Sequence, residues 1–349
     1  MLERFSSKAI AAKARAMYAR RLSSSAYDEM IKKINVGEVA VYLRDSTHYG
    51  ELLGGMDTDN IHRGQLEERL RDARYDNYTA LTRYAFSKQA GFYQYLFIWD
   101  EVEQIIKLLR YIGAGSEGEY FFHYSKHLPR YCSYDIAEMV KCRDFSTLVK
   151  VLEGTPYGKI LLQHPPRSDA GKNQLDMVFC ERDLKIYYYN RVLTLIDKQF
   201  SGSAARELRE IFMNRIDVEN IASAYRLRHF FKSEPQYIRS ALLPYKTVSE
   251  KLIDSITDAP DEAGLAEVLR NSRFARDGVP DTDYIESLIL REQERVSRKL
   301  LRYSVNPAVT LVAYMTQMEI ELENVINIVE GIRYGLPPVE IRKLLILQG

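Results

Sequence analysis

One short helical pattern occurs three times in this sequence, and the repetition constrains the fold more than any other feature. Residues 101–105 read Glu-Val-Glu-Gln-Ile, residues 217–221 read Asp-Val-Glu-Asn-Ile, and residues 321–325 read Glu-Leu-Glu-Asn-Val. The copies lie roughly a hundred residues apart, and self-similarity at a regular spacing is the signature of an internal repeat. We call this the acid–amide motif, and it predicts a chain built from three similar helical units.

The rest of the chain favours helices as well. Apolar residues recur at helical spacing through most segments, and strand alternation with hairpin turns is absent, so we predict an all-α fold. Each unit combines short helices, a turn, a long charged helix and a long helix that carries the acid–amide motif. In the first unit, we predict the long charged helix over residues 61–89. Because a chain of 349 residues rarely forms a single core, we place three domains at residues 1–118, 119–244 and 245–349.

A second pattern supports the repeat. Residues 47–50 read Thr-His-Tyr-Gly, residues 155–158 read Thr-Pro-Tyr-Gly, and residues 272–275 give a weaker echo, Ser-Arg-Phe-Ala. We expect Gly50 to permit a left-handed turn that ends a helix, because glycine pays no steric cost there. Between the second and third of these turns, residues 165–171 are rich in turn-forming residues and predict a loop.

Charge and hydropathy exclude two classes of partner. The chain has 49 basic and 48 acidic residues, a net charge of +1. Nucleic-acid binders usually carry a basic excess, so we expect no nucleic-acid partner. The balance does not favour direct adsorption to an anionic membrane either. No apolar run approaches the roughly 18–20 residues that a membrane-spanning helix needs.

The sequence gives little support for a metal site or a reactive cysteine. Cys132, Cys142 and Cys180 are odd in number and have no paired spacing, which favours reduced, buried thiols. His123 and His127 are spaced to share one helix face, but the place of the glutamate of a zinc protease is taken by tyrosine. We therefore expect no metal and no cofactor. An enzyme built around these two histidines and Cys132 stays a minor alternative.

Two glycine-rich stretches resemble nucleotide-binding motifs without their context. Residues 113–118 fit G-x-G-x-x-G, but a helix rather than a strand leads into them. Residues 154–159 resemble a phosphate loop with one spacer too few, and Pro156 removes a backbone donor. We interpret the first as a loop between domains and the second as a turn between helices. No catalytic motif remains, and we expect no bound small-molecule substrate.

The acid–amide motif itself is a better candidate for contacts than for chemistry, because a catalytic carboxylate pair is expected once rather than in three repeats. We therefore expect helix-to-helix or domain-to-domain contacts from the Glu–amide pairs of the motif, which are Glu103, Gln104, Glu219, Asn220, Glu323 and Asn324.

Five segments occur together in a recognisable order: the basic helix at residues 13–17, the Thr-x-Tyr-Gly turn within 43–53, the acid–amide helix at 217–226, and two stretches near the C-terminus, 321–324 and 333–337. In this order they resemble one known family, the C subunit of archaeal- and bacterial-type A/V-type ATPases, whose eukaryotic relative is the d subunit of the V-ATPase. The copy with Gln104 and the turn at residues 272–275 depart from the family pattern.

This resemblance implies an all-helical funnel of three domains with pseudo-threefold character. It implies a non-catalytic rotor subunit on the cytoplasmic side of the membrane. The implied partners are the central-shaft subunits and the membrane rotor ring of proteolipid subunits, with torque passing between them. A free-standing helical-repeat scaffold that binds soluble proteins is the alternative.

Overall fold

The computed structural model describes residues 2–57, 61–83, 87–114, 126–169, 172–245, 247–272, 274 and 285–347. Helices dominate these residues, which confirms the all-α class. The exception is a small antiparallel ladder in which β1 (Arg167–Asp169) pairs with β2 (Lys172–Gln174). The prediction of a plain loop over residues 165–171 is therefore wrong at Arg167–Asp169, where the backbone forms ladder pairs.

The helices follow the predicted order. The first part of the described chain forms α1 (Leu2–Tyr18), α2 (Ser24–Ile31), α3 (Val36–Ser46), α4 (Gly50–Leu53), α5 (Arg63–Thr82) and α6 (Tyr95–Gly113). The middle part forms α7 (Leu128–Tyr131), α8 (Ile136–Lys141), α9 (Phe145–Val151), α10 (Pro156–Leu161), α11 (Met177–Gln199) and α12 (Gly202–His229). The last part forms α13 (Pro235–Ala241), α14 (Glu250–Thr257), α15 (Glu262–Arg270), α16 (Ile285–Tyr303), α17 (Pro307–Arg333) and α18 (Pro338–Lys343).

Short polar side chains begin many of the short helices. Ser23, Asp135, Asp144, Thr155 and Ser249 each precede a helix and accept a hydrogen bond from a backbone N–H of its first turn. Each such cap stabilises its helix by about 1 kcal/mol, because it satisfies a donor that has no partner within the helix. These local signals explain why short helices persist between the long ones.

The central apolar core lies where the three helices that carry the motif meet. It contains α6 together with the N-terminal halves of α12 and α17, and α1, α5, α11 and α16 pack around them. At its centre the ring of Phe92 stacks on Tyr95 with centroids 5.5 Å apart, and Phe212 meets Tyr95 edge-on at 5.7 Å. Complete burial of such a side chain contributes about 1.5–3 kcal/mol.

Two further apolar clusters surround the C-terminal halves of α12 and α17. Val218, Ile221 and Tyr225 of α12 pack with residues of α13, α14 and α15, which follow in sequence. In contrast, Leu322 and Val325 of α17 pack with α2, α3, α4 and α5 from the other end of the chain. The N-terminal helices are therefore held on the last long helix.

Candidate functional site

The acid–amide motif places a buried acid on each of its three helices, and we name each site after that acid. At the Glu321 site, the carboxylate is 8% exposed and accepts two hydrogen bonds at 2.8 Å, from the backbone N–H of Leu22 and from the hydroxyl of Tyr49. The Nε2 of His48 lies 3.4 Å from the same carboxylate. The donors come from the N-terminal segment, so this site ties the two ends of the chain together.

Burial controls the electrostatics of the Glu321 site. It raises the pKa of Glu321, and the hydrogen bonds from Leu22 and Tyr49 offset part of that rise because they stabilise the charged form. Burial also lowers the pKa of His48, since a buried imidazole disfavours its charged form. Both shifts favour neutral side chains, which suits a structural contact between helices.

The Glu101 site has the same construction within the middle of the chain. Glu101 is 4% exposed, and one of its oxygens accepts the hydroxyl of Tyr157 at 2.6 Å. The other carboxylate oxygen accepts a hydrogen bond from the backbone N–H of Ser133. The hydroxyl of Tyr134 donates to the backbone carbonyl oxygen of Glu101 at 3.0 Å. The two hydroxyls and the N–H all come from the segment that follows α6.

The Thr-x-Tyr-Gly turn explains both tyrosine donors. Tyr49 and Tyr157 are buried, and the glycine after each begins or continues a short helix. A Cβ at Gly50 would lie 2.7 Å from the carbonyl oxygen of Arg44, and a Cβ at Gly158 would lie 2.4 Å from that of Leu152. Glycine is required here by this close approach of backbone.

The expected left-handed turn at Gly50 is therefore wrong. Gly50 is the first residue of α4 rather than the residue that ends a helix, and its φ is not positive. Left-handed φ values occur instead at Gly55, Gly154, Gly202 and Gly335. Glycine is needed at Gly50 because the backbone passes too close for a Cβ, and at the other four positions because φ is left-handed. The sequence alone does not distinguish these two requirements.

The Asp217 site uses a different hydroxyl. Asp217 is fully buried, and one oxygen accepts the backbone N–H groups of Thr247 at 2.7 Å and Val248 at 3.0 Å. The hydroxyl of Thr247 donates to the other oxygen. At the position of the turn tyrosine stands Phe274, which is buried but has no hydroxyl to give. The hydroxyl of Thr247 therefore serves as the donor to the acid, in place of the tyrosine hydroxyl that Phe274 lacks.

The amides of the motif bind backbone at two sites. The side chain of Asn220 exchanges hydrogen bonds of 2.8 and 3.0 Å with the N–H and C=O of Leu243. Asn324 does the same with Ile346, at 2.8 and 2.9 Å. Gln104 instead donates to Asp100 of its own helix at 3.2 Å. Asn220 and Asn324 therefore connect segments, whereas Gln104 does not.

The second acids of the motif lie away from these sites. Glu103 is 3.6 Å from Lys107 on the same helix, and Glu323 is 3.6 Å from Arg71 of α5. Glu219 pairs with Lys185 and accepts the hydroxyl of Tyr189 at 3.1 Å. They form ion pairs and hydrogen bonds between or along helices rather than holding a buried turn.

The residues that sequence reasoning missed are the first acids, Glu101, Asp217 and Glu321. They open all three copies of the motif, so the signal was present in the same pattern. A helix advances about 100° per residue, so acids two positions apart lie on opposite sides of it. Only the packing shows which of the two faces the turn.

The remaining candidates occupy structural positions. His127 lies outside any helix, with its Nε2 2.7 Å from Asp76, while His123 falls outside the described residues. Cys132 is half-buried beside Glu101, and burial raises the pKa of its thiol to about 12. Among residues whose positions are described, no three His, Cys, Asp or Glu side chains gather as a metal site.

Of the glycine-rich stretches, residues 154–159 form the predicted turn between α9 and α10 only at Gly154 and Thr155; residues 156–159 are the first residues of α10, so the prediction of a turn is wrong for them. The helix α6 leads into the other at Gly113, and residues 115–118 fall outside the described residues. No helix within the described ranges combines the length and the apolar character needed to cross a membrane.

The chain is similar to known proteins along nearly its whole length. A family model for the ATP synthase (C/AC39) subunit matches residues 10–344. The A-type ATP synthase C subunit from Thermococcus gammatolerans is 21% identical over 345 residues, covering 96% of this chain and 88% of that protein. The same subunit from Pyrococcus abyssi is 21% identical over 344 residues, covering 95% and 88%. That from Methanosphaera stadtmanae is 24% identical over 229 residues, covering 61% and 57%.

Proposed function

Because the chain belongs to the ATP synthase (C/AC39) subunit family, we propose that it is the rotor subunit that couples the central shaft of an A/V-type ATPase to the membrane ring. The observation that carries this proposal is the occurrence of one buried acid site on each of three long helices. Three such sites, at Glu101, Asp217 and Glu321, support a triplicated body around a common axis. Such a body has the shape that a socket for a shaft requires.

The packing also bears on how the three units are divided. The domain boundaries predicted at 118/119 and 244/245 each fall between a motif helix and short helices that pack on it. The first boundary separates α6 from α7, and the second separates α12 from α14, although each pair is in contact. We propose that each unit consists of a motif helix and the short helices it carries, and that α2, α3 and α4 complete the unit of α17. The three units then close in a circle, in the funnel arrangement with pseudo-threefold character.

The proposed role requires stiffness and polar contacts rather than a reactive centre. Long helices such as α12 and α17 resist bending, and their N-terminal halves meet in the central core. The buried acids are engaged by hydroxyl and N–H donors, which suits a contact that transmits force. We propose that the subunit takes no part in bond chemistry and that it lies on the cytoplasmic face of the membrane, against the proteolipid ring.

Removal of the chain from the assembled complex tests this function. ATP hydrolysis should continue in the head while ion transport falls, because the connection between the shaft and the ring is lost. Readdition of the purified chain should restore transport. Ion pumping that stays fully coupled to ATP hydrolysis without the chain would overturn the proposal.

A pull-down in low detergent separates this role from that of a free scaffold. A coupling subunit should co-purify with ring proteolipids and with shaft subunits. A chain that recovers soluble proteins alone, and no ring or shaft subunit, would favour the scaffold instead.

A further inference from the structure

The outward face of α16 carries a single line of arginines. Arg291, Arg295, Arg298 and Arg302 are spaced i, i+4, i+7 and i+11 on this helix. At about 100° per residue this spacing places the four side chains on one face, along roughly 16 Å of helix. The opposite side of α16 packs on α12 and α17. We call these four residues the arginine row.

The two inner arginines are held in place by acids beneath them. Arg295 makes a bidentate pair with Glu292, with distances of 2.5 and 2.7 Å, and Arg298 lies 3.2 Å from Glu294. Both acids are nearly buried, and Glu292 also accepts a hydrogen bond of 3.0 Å from Asn214 of α12. The guanidinium groups of the inner pair are thereby oriented while about a third of each side chain stays exposed.

The two end arginines have no acid beneath them in the described part of the chain. Arg291 and Arg302 are exposed, and among the described residues neither has a carboxylate within ion-pair distance. Beside Arg302, the side chains of Tyr303 and Val305 are 71% and 85% exposed. The row therefore combines excess positive charge with apolar surface at one end, on a chain whose total charge is only +1.

We propose that the arginine row docks an acidic helix of another subunit, one whose carboxylates repeat at the same i, i+4, i+7 and i+11 spacing. The guanidinium fork matches a carboxylate in two-point geometry, and pre-positioned arginines lose less entropy on binding. A lipid surface fits less well, because the row is one side chain wide, whereas a membrane is contacted over an area. This inference rests on the proposed function, since the partner is taken to be a subunit of the same complex.

A labelled helical peptide of about 20 residues tests the proposal with the full chain. One version carries glutamates in a single row at the stated spacing, and a second has the same composition with the glutamates distributed around the helix. The first should bind at least about tenfold more tightly, and its affinity should fall as salt rises.

The double variant Arg291→Glu/Arg302→Glu should lose at least about tenfold in affinity for the aligned peptide. Its matched control is Lys150→Glu/Lys159→Glu, which makes the same change in charge at two exposed lysines. Neither lysine has a carboxylate in ion-pair distance within the described ranges. The control should bind as the unaltered chain does.

Equal binding of the two peptides, or equal losses in the two double variants, would overturn the proposal. Binding to vesicles of anionic phosphatidylglycerol without binding of the aligned peptide would assign the row to lipid and also overturn it. Because the assay uses the isolated chain, its failure is distinguishable from failure of the proposed function, which shows as absence of ring and shaft subunits in the pull-down.

Discussion

At the Glu321 site the buried acid receives the hydroxyl of Tyr49, whereas at the Asp217 site it receives that of Thr247. The donors to Glu321 lie 272 and 299 residues away in the chain, and those to Asp217 lie 30 and 31 residues away. The Asp217 site ties a helix to the segment that follows it. The Glu321 site joins the beginning of the chain to its end.

This difference has a consequence for local stability. Loss of the Asp217 site loosens a helix and a segment that are joined by only about 30 residues of chain. The open contact can therefore form again at a small entropic cost of loop closure. The helices α2, α3 and α4 are far from α17 in the chain, and in the described structure apolar packing and the Glu321 site hold them against it. Loss of the Glu321 site therefore weakens a contact that the nearby chain does not restore. We therefore expect the region of residues 24–53 to open more readily than the segment beside Asp217 when equivalent contacts are removed.

The largest effect is expected from the motif amides. Asn324→Ala and Asn220→Ala should each lower the free energy of unfolding by about 2–4 kcal/mol, because each leaves a buried backbone N–H and C=O without partners. Gln104→Ala is the comparison variant and should cost less, about 1–2 kcal/mol, since it removes one hydrogen bond within its own helix, to buried Asp100, and leaves no backbone group of another segment without a partner. Urea unfolding provides the measurement. Equal losses for all three variants would contradict the assignment.

Removal of the tyrosine hydroxyls should cause the next largest loss in the free energy of unfolding. Tyr49→Phe and Tyr157→Phe each delete a hydrogen bond to a buried carboxylate, and we expect losses of about 1.5–3 kcal/mol. Hydrogen exchange should distinguish them. Tyr49→Phe should raise exchange in residues 24–53, and Tyr157→Phe should raise it in residues 136–161. If both variants raised exchange in the same region, the two sites would not be separate.

The turn glycines come third. Gly158→Ala should cost about 2–3 kcal/mol and Gly50→Ala about 1–2 kcal/mol, because the closer backbone oxygen at Gly158 leaves less room for a Cβ. Gly113→Ala is the control: its Cβ would lie 3.5 Å from Met177, an ordinary contact, and the helix should gain up to about 1 kcal/mol. Melting temperatures report all three. A reversed order of Gly158 and Gly50 would refute the steric explanation.

The smallest loss is expected at the third site. Thr247→Val deletes the hydroxyl donor to Asp217 but keeps its two N–H donors, so we expect a loss of about 1–2 kcal/mol. Phe274→Tyr is the companion variant and should lower stability by about 1 kcal/mol or more, because both oxygens of Asp217 already accept hydrogen bonds and the added hydroxyl is buried without a free acceptor there. Thermal unfolding of the two variants checks this pair. A loss from Thr247→Val as large as that from Tyr49→Phe would remove the distinction between the sites.

Much of the fold was predictable because its signals are local. Helical periodicity and the caps at residues such as Ser249 and Asp144 act within a few positions, so the helices appear in the predicted order. One long helix was overestimated: the segment predicted as helical over residues 61–89 forms α5 and then a short 3-10 turn at Ser87–Gln89.

The site was predictable only in part. The motif marks the right helices, and Asn220 and Asn324 make contacts between segments. It does not show that the first acid rather than the second is buried, because that depends on which helix face meets the turn. Nor does it show that Tyr49 reaches Glu321, since periodicity carries no information about a contact between the ends of a chain.

The most direct test joins the Glu321 site to the proposed function. Complexes reconstituted with the unaltered chain or with Tyr49→Phe would be compared for ATP hydrolysed and ions taken up, with hydrogen exchange measured on residues 24–53. We expect Tyr49→Phe to release those residues, because it removes the Tyr49 hydrogen bond to Glu321, and to lower ion uptake per ATP while hydrolysis continues. Unchanged uptake per ATP, in a complex where residues 24–53 are demonstrably released, would contradict a coupling role for the closed body.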